Sequence, residues 1–289
     1  MKRNLHLLVI DPQNDFCDLP EGYRPADAPA SGRNAPALPV PGAHADMLNV
    51  AELVNRGRAG LSGISVTIDS HHRLDIAHPG FWTDGAKQEV HPFTQITAAD
   101  VRAGRYLPRD PAALPRVLNY LETLEAAGRY SLMVWPVHCE IGSWGRQVHA
   151  DVQAALNHWE NGGHGKVDRV IKGTNPWTEH YSAIQAEVPD DDDEATQLNG
   201  ALIEVLSSAD RVFITGEAGS HCVKATTEHL VANVDQRHLS KLVLLTDCMS
   251  AVTGYDAQFL AFIEDMKARG VQVAKAAEIL PELLANAKS

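Results

Sequence analysis

The stretch Arg211-Val212-Phe213-Ile214-Thr215-Gly216-Glu217-Ala218-Gly219-Ser220-His221-Cys222-Val223 decides how this chain is built. Residues 211–215 are a short, mostly apolar run of strand-forming side chains, and the small residues that follow permit a sharp turn. From Val223 to Val234 the apolar positions recur with helical period. A buried strand that turns abruptly into a helix is the repeating unit of a parallel α/β sheet.

The same pattern recurs on both sides of that stretch. Further strands are predicted over Leu5 to Ile10, Gly63 to Ile68, Leu132 to Trp135, Val167 to Ile171 and Lys241 to Leu245. Amphipathic helices are predicted over Ala45 to Arg56, Ala113 to Ala127, Gln147 to Trp159, Leu198 to Ser208 and Ala257 to Arg269. The alternation predicts a three-layer, Rossmann-like α/β fold with a central parallel sheet of about six strands flanked by helices. We expect all 289 residues to form one domain, interrupted by loop insertions at about 17–41, 83–111 and 187–196. The first is rich in Pro, Ala and Gly, the second is polar, and the third carries four consecutive aspartates that suit a solvated turn.

Bulk properties narrow the function. With 44% hydrophobic and 21% charged residues, the composition is that of an ordinary globular protein. No apolar run approaches the roughly 18 residues of a membrane span, and the N-terminal residues lead straight into a strand without a signal-peptide pattern, so the expected location is the cytoplasm. The four cysteines are scattered and show no CxxC pairing, which predicts reduced thiols. A formal net charge of −12 argues against binding to nucleic acid. The expected partner is a small molecule, and a homo-oligomer is compatible with everything above.

In a parallel sheet, ligands bind beyond the carboxyl ends of the strands. Asp11, Asp69, His138, Lys172 and the segment from Glu217 to Cys222 all fall just after a predicted strand. Cys222 would open a helix, where the dipole and free N–H groups lower a thiol's pKa and offer donors to an oxyanion. A buried structural cysteine is the commoner case by residue type, and the strand-end placement tips the balance. Asp11 alone reads as a turn former, and Lys172 alone as a surface lysine. With a cysteine they make a triad in which the carboxylate takes the thiol proton and the lysine holds that carboxylate. Asp69 and His71, with His78 close behind and His138 further on, supply one carboxylate and several imidazoles. That set suits a divalent ion, Zn²⁺ foremost, with Mn²⁺ and Fe²⁺ as alternatives.

Together these motifs resemble the isochorismatase-like cysteine hydrolase superfamily, and within it the nicotinamidases and pyrazinamidases. Asp11-Pro12-Gln13-Asn14-Asp15-Phe16 resembles the first-strand motif, Ile171-Lys172-Gly173 the lysine motif, and Gly216 to Val223 the nucleophile loop. Asp69-x-His71 and Trp135-Pro136-x-His138-Cys139 resemble the nicotinamidase metal motif. The resemblance implies that Asp11, Lys172 and Cys222 are catalytic, and that Asp69, His71 and His138 bind the metal, with His78 as a further candidate. It also implies that Phe16 and Trp135 sandwich an aromatic ring, and that a non-proline cis peptide joins Glu217 to Ala218 in the oxyanion loop. The implied reaction is hydrolysis of nicotinamide to nicotinate and ammonia through a Cys222 thioester. The alternatives are another small amide or carbamoyl substrate, or a non-catalytic metabolite-binding homologue. Glu217 and His221 are not the commonest residues of the loop, and His78 stands farther from His71 than the corresponding histidine usually does.

Overall fold

The computed structural model describes residues 2–25 and 35–289. The chain begins with strand β1 (Leu5–Ile10), helix α1 (Ala43–Gly57) and β2 (Gly63–Asp69). An excursion follows, through the short strands β3 (Trp82–Asp84) and β4 (Thr94–Ile96), helix α2 (Ala98–Arg102), β5 (Tyr106–Pro108), α3 (Leu114–Ala127) and β6 (Leu132–Val134). The remainder runs α4 (Ala150–Asn161), β7 (Asp168–Lys172), α5 (Gly200–Ser208), β8 (Arg211–Gly216) and α6 (Cys222–Asn233). It closes with β9 (Leu242–Leu245), α7 (Asp256–Arg269), β10 (Gln272–Ala274) and α8 (Ala276–Asn286).

Six strands form a wholly parallel sheet in the order β10-β9-β8-β1-β2-β7. Strands β1, β8 and β9 are buried on both faces, in keeping with their mostly apolar sequences. The chain leaves β1 toward β2 on one side, and from β8 it steps through β9 to β10 on the other. Right-handed crossovers therefore place the helices of the two halves on opposite faces of the sheet. Helix α1 packs against α4 and α8. The strand order reverses between β1 and β8, and such a switch point opens a crevice at the carboxyl ends of the two strands.

Gly216 fixes how closely those two strands meet. Its φ is +115°, and a Cβ there would stand 1.9 Å from the carbonyl oxygen of Ile10. Both clash and dihedral exclude a side chain. Gly216→Ala is expected to cost on the order of 3 kcal/mol or more, read as a fall in the urea midpoint of unfolding.

Two sequence expectations are corrected here. The run Leu132 to Trp135 does not enter the main sheet: β6 pairs antiparallel with β4. Its place in the six-stranded sheet is taken by β10, whose three residues are too short and too exposed to register as an apolar run. The region 83–111 is also more than a polar loop. It folds with α3 around a satellite core of Ile76, Trp82, Val90, Ile96, Val101, Val117, Tyr120 and Leu121. Helix α2 begins with a capping box in which the Thr97 side chain and the Asp100 backbone and side chain bond reciprocally. In the third insertion Asp190 pairs with Arg116 and Asn175, a turn tied to the body of the protein. Of the insertion expected at 17–41, residues 26–34 lie outside the described residues. Among the described residues, no helix is long and apolar enough to cross a membrane.

Candidate active site

Asp11, Asp69, Lys172 and Cys222 stand at the carboxyl ends of β1, β2 and β7 and at the first turn after β8. The sheet register brings them together: Asp69 and Lys172 are Cα partners across β2 and β7, and Ile10 is the partner of Gly216. All four are buried. Asp11 has a left-handed backbone, with φ of 43°, a conformation that costs a non-glycine residue energy. Its N–H donates to Thr67 Oγ1 at 3.0 Å, and the Thr67 hydroxyl donates to Asp11 Oδ1 at 2.5 Å.

Lys172 is the hub. Its ammonium lies 2.9 Å from Asp11 Oδ2, and it donates to Asp69 Oδ1 and the His180 carbonyl at the same distance. Cys222 Sγ is 3.7 Å from Nζ, and the thiol is also within hydrogen-bonding reach of Asp11. Burial opposes the charge on Lys172, but the two carboxylates outweigh it and hold the ammonium charged well beyond the usual range. Burial pushes the Cys222 thiol up, helped by Asp11 and Asp69 and resisted by Lys172. The expectation that the helix terminus would lower this thiol is therefore corrected: removal from water beside two carboxylates outweighs half a unit of dipole charge. The thiol rests protonated and needs a base. Asp11, raised foremost by burial, is the carboxyl that touches it.

The turn from Gly216 to Cys222 contains the cis peptide between Glu217 and Ala218. The backbone N–H groups of Gly216, Glu217, Gly219, His221 and Val223 all reach carbonyls. Those of Ala218, Ser220 and Cys222 meet no acceptor among the described residues. Free donors beside a thiol, as at Ala218 and Cys222, are the elements of an oxyanion hole.

Across from the thiol, the imidazoles of His71, His78 and His138 present nitrogen atoms that all lie within 4.8 Å of one another. Asp69 Oδ2 is 3.0 Å from His71 Nε2 and 3.5 Å from His138 Nε2. His71 turns its other nitrogen to Asp75 Oδ2 at 3.0 Å, and His138 Nδ1 donates to the Pro136 carbonyl at 2.8 Å. Such outer partners fix which nitrogen of a metal-binding histidine faces the ion. His78, burial-shifted down to about 2, is a neutral imidazole, and its Nδ1 is buried with no hydrogen-bond partner among the described residues. Three imidazoles and a carboxylate in this arrangement fit a divalent ion. The longer sequence gap to His78 is absorbed by a turn in which its N–H bonds the Asp75 carbonyl. His138 arrives on the satellite unit rather than on a main-sheet strand, through a turn in which Cys139 has φ of 48°.

The thiol and His138 open on one narrow cavity lined also by Phe16, Asp69, Trp135, Glu179, Tyr181 and His221. Phe16 and Trp135 thus both reach it, and the Trp135 indole donates to the Tyr181 hydroxyl at 3.0 Å. Sequence reasoning missed Thr67, Gln13, Asp75, Glu179 and Tyr181. Gln13 bridges the ends of β1 and β2 with its side-chain amide, bonding both the N–H and the carbonyl of Asp69 at 2.7 Å. Its place in Asp-Pro-Gln-Asn was the one available signal. Glu179 and Tyr181 lie in an irregular segment that carries none.

Neither a family model nor a curated protein matches the sequence. Solved structures do match. The chain is similar to the Acinetobacter baumanii nicotinamidase/pyrazinamidase at 19% identity, over 96% of this chain and 98% of that one, with a TM-score of 0.60. It is similar to the yeast nicotinamidase at 21% identity, over 93% and 99% of the two chains, again with a TM-score of 0.60. A pyrazinamidase of Pyrococcus horikoshii, solved in complex with zinc, aligns at 20% identity over 94% and 99%, with a TM-score of 0.53. At these identities the likeness is one of architecture: the chain shares the fold of these nicotinamidases and pyrazinamidases.

Proposed function

We propose that this protein is a metal-assisted cysteine amidohydrolase that converts nicotinamide to nicotinate and ammonia. One observation carries the reading. A thiol, its base and a lysine share a buried cluster, and the thiol lines an aromatic cavity together with Asp69 and His138, the latter one of three clustered imidazoles. Asp11 takes the proton from Cys222, and the thiolate sulfur bonds the amide carbon. The N–H groups of Ala218 and Cys222 receive the oxyanion. Asp11 then protonates the amide nitrogen, the C–N bond breaks and ammonia leaves a thioester. Water, relieved of a proton by Asp11, adds to that thioester; the C–S bond breaks, the acid departs, and the proton returns to sulfur. Lys172 keeps Asp11 oriented throughout. A divalent ion held by Asp69, His71, His78 and His138 would supply Lewis acidity and a coordination position for the pyridine nitrogen.

Benzamide keeps the shape and the amide of nicotinamide but lacks the ring nitrogen. In metal-replete enzyme its kcat/KM, followed by ammonia release, is expected to be lower by about a hundredfold, as for sites built to pair one polar atom. Equal constants would refute recognition of the ring nitrogen. A different small amide is favoured by one observation: Glu179 Oε2 is buried at the cavity without a partner among the described residues, an acceptor for a hydroxyl, amino or N–H group on the substrate. A panel of such amides, turned over faster than nicotinamide, would select that reading.

A further inference from the structure

Glu217 is wholly buried in the turn that displays Cys222, yet has no part in the proton transfers above. Its Oε2 accepts from the Ser250 N–H at 3.2 Å. The Ser250 hydroxyl donates to Asp46 Oδ2 on α1 at 2.5 Å, and the Ser250 carbonyl accepts from the Gly219 N–H at 2.7 Å. The carboxyls of Glu217 and Asp46 are themselves within hydrogen-bonding reach, and Glu217 Oε1 has no donor among the described residues. Two ionised carboxylates offer each other only acceptors, so a bond between them needs one proton.

The titratable groups facing the pair argue for that proton. Asp18 and Cys17 approach from the segment after the Asn14–Phe16 turn, and Asp247 and Cys248 from the segment after β9. None supplies positive charge. Burial, with the Asp46 charge next, pushes the Glu217 carboxyl well above its ordinary range, and burial raises Asp46 as well.

We propose that Glu217 and Asp46 hold one proton between them, and that this carboxyl pair clamps the nucleophile turn to helix α1, making Glu217 a positioning residue for Cys222. The tether acts one residue before the free N–H of Ala218 and five before the thiol, so it sets where the oxyanion donors stand relative to sulfur. The inference rests on Cys222 being the nucleophile.

Glu217→Gln keeps a donor for Asp46 and an acceptor for Ser250 but cannot ionise, whereas Glu217→Ala keeps neither. A carboxyl whose folded-state proton affinity exceeds its unfolded one contributes stability that is full below the ordinary glutamate range and is lost as pH rises through the folded value. The Tm of Glu217→Gln relative to wild type is therefore expected to rise steadily as pH increases above the ordinary glutamate range. In amide hydrolysis, Glu217→Ala is expected to lose about tenfold or more in kcat with little change in KM, and Glu217→Gln to restore most of it. A Tm difference that does not vary with pH overturns the shared proton. Failure of glutamine to restore kcat, or an alanine variant as fast as wild type, overturns the positioning role. The Tm comparison needs no substrate, so it judges the pair even if wild type proves inactive on every amide.

Discussion

Cys222→Ala is expected to lower amide hydrolysis by on the order of a thousandfold or more, because the atom that bonds the substrate is gone while the rest of the cluster stays. Substrate binding should persist, since Phe16, Trp135 and the imidazoles are untouched. Stability should change by no more than about 1 kcal/mol, one small buried atom being lost from a polar site. Kinetics of ammonia release and calorimetric binding on the same preparation check both halves. Several per cent of wild-type turnover in this variant would end the nucleophile assignment. Replacing Cys17, Cys139 or Cys248 with Ser should not reproduce the loss, because none of these lines the cavity.

Lys172→Met is expected to remove turnover and also to weaken the fold. The ammonium lies against both Asp11 and Asp69 at 2.9 Å, and methionine fills its volume without its charge. Leaving buried carboxylates unpaired costs about 3–5 kcal/mol. The sign with pH follows directly: a protonated carboxyl needs no ammonium, so the deficit should shrink as pH falls and grow as it rises. Urea titrations of both proteins on either side of neutrality measure it. A variant as stable as wild type at alkaline pH would show that the lysine does not neutralise the pair.

The central strands were legible because burial on both faces favours mostly apolar residues, as in Leu-His-Leu-Leu-Val-Ile of β1 and Arg-Val-Phe-Ile-Thr-Gly of β8. That Asp11, Asp69, Lys172 and Cys222 would gather at one edge was legible for a related reason: each follows such a run, and the carboxyl ends of parallel strands lie side by side. What escaped was short or irregular. Strand β10 has three half-exposed residues, and α8 carries Pro281 in its interior, which breaks the pattern a helix would show. Leu132 to Trp135 looked like a sheet strand, but Pro136 lacks the N–H that a longer ladder would use, and the strand ends at Val134. The direction of the Cys222 shift was misjudged because helix position can be read from sequence, whereas the depth of burial beside Asp11 and Asp69 cannot.

The pairing of Asp69 with Lys172, and of Ile10 with Gly216, has a further consequence. Neighbouring side chains in a strand point to opposite faces, so sliding one strand by a single residue would carry its clustered polar group about 3.3 Å along the sheet and turn it away from the others. On the proposed function, turnover would therefore report correct strand alignment. Connecting segments are freer in length: each doubling costs only about 0.6 kcal/mol, so the excursion between β2 and β7 can hold a folded unit of its own while it carries Trp135 and His138 to the cavity.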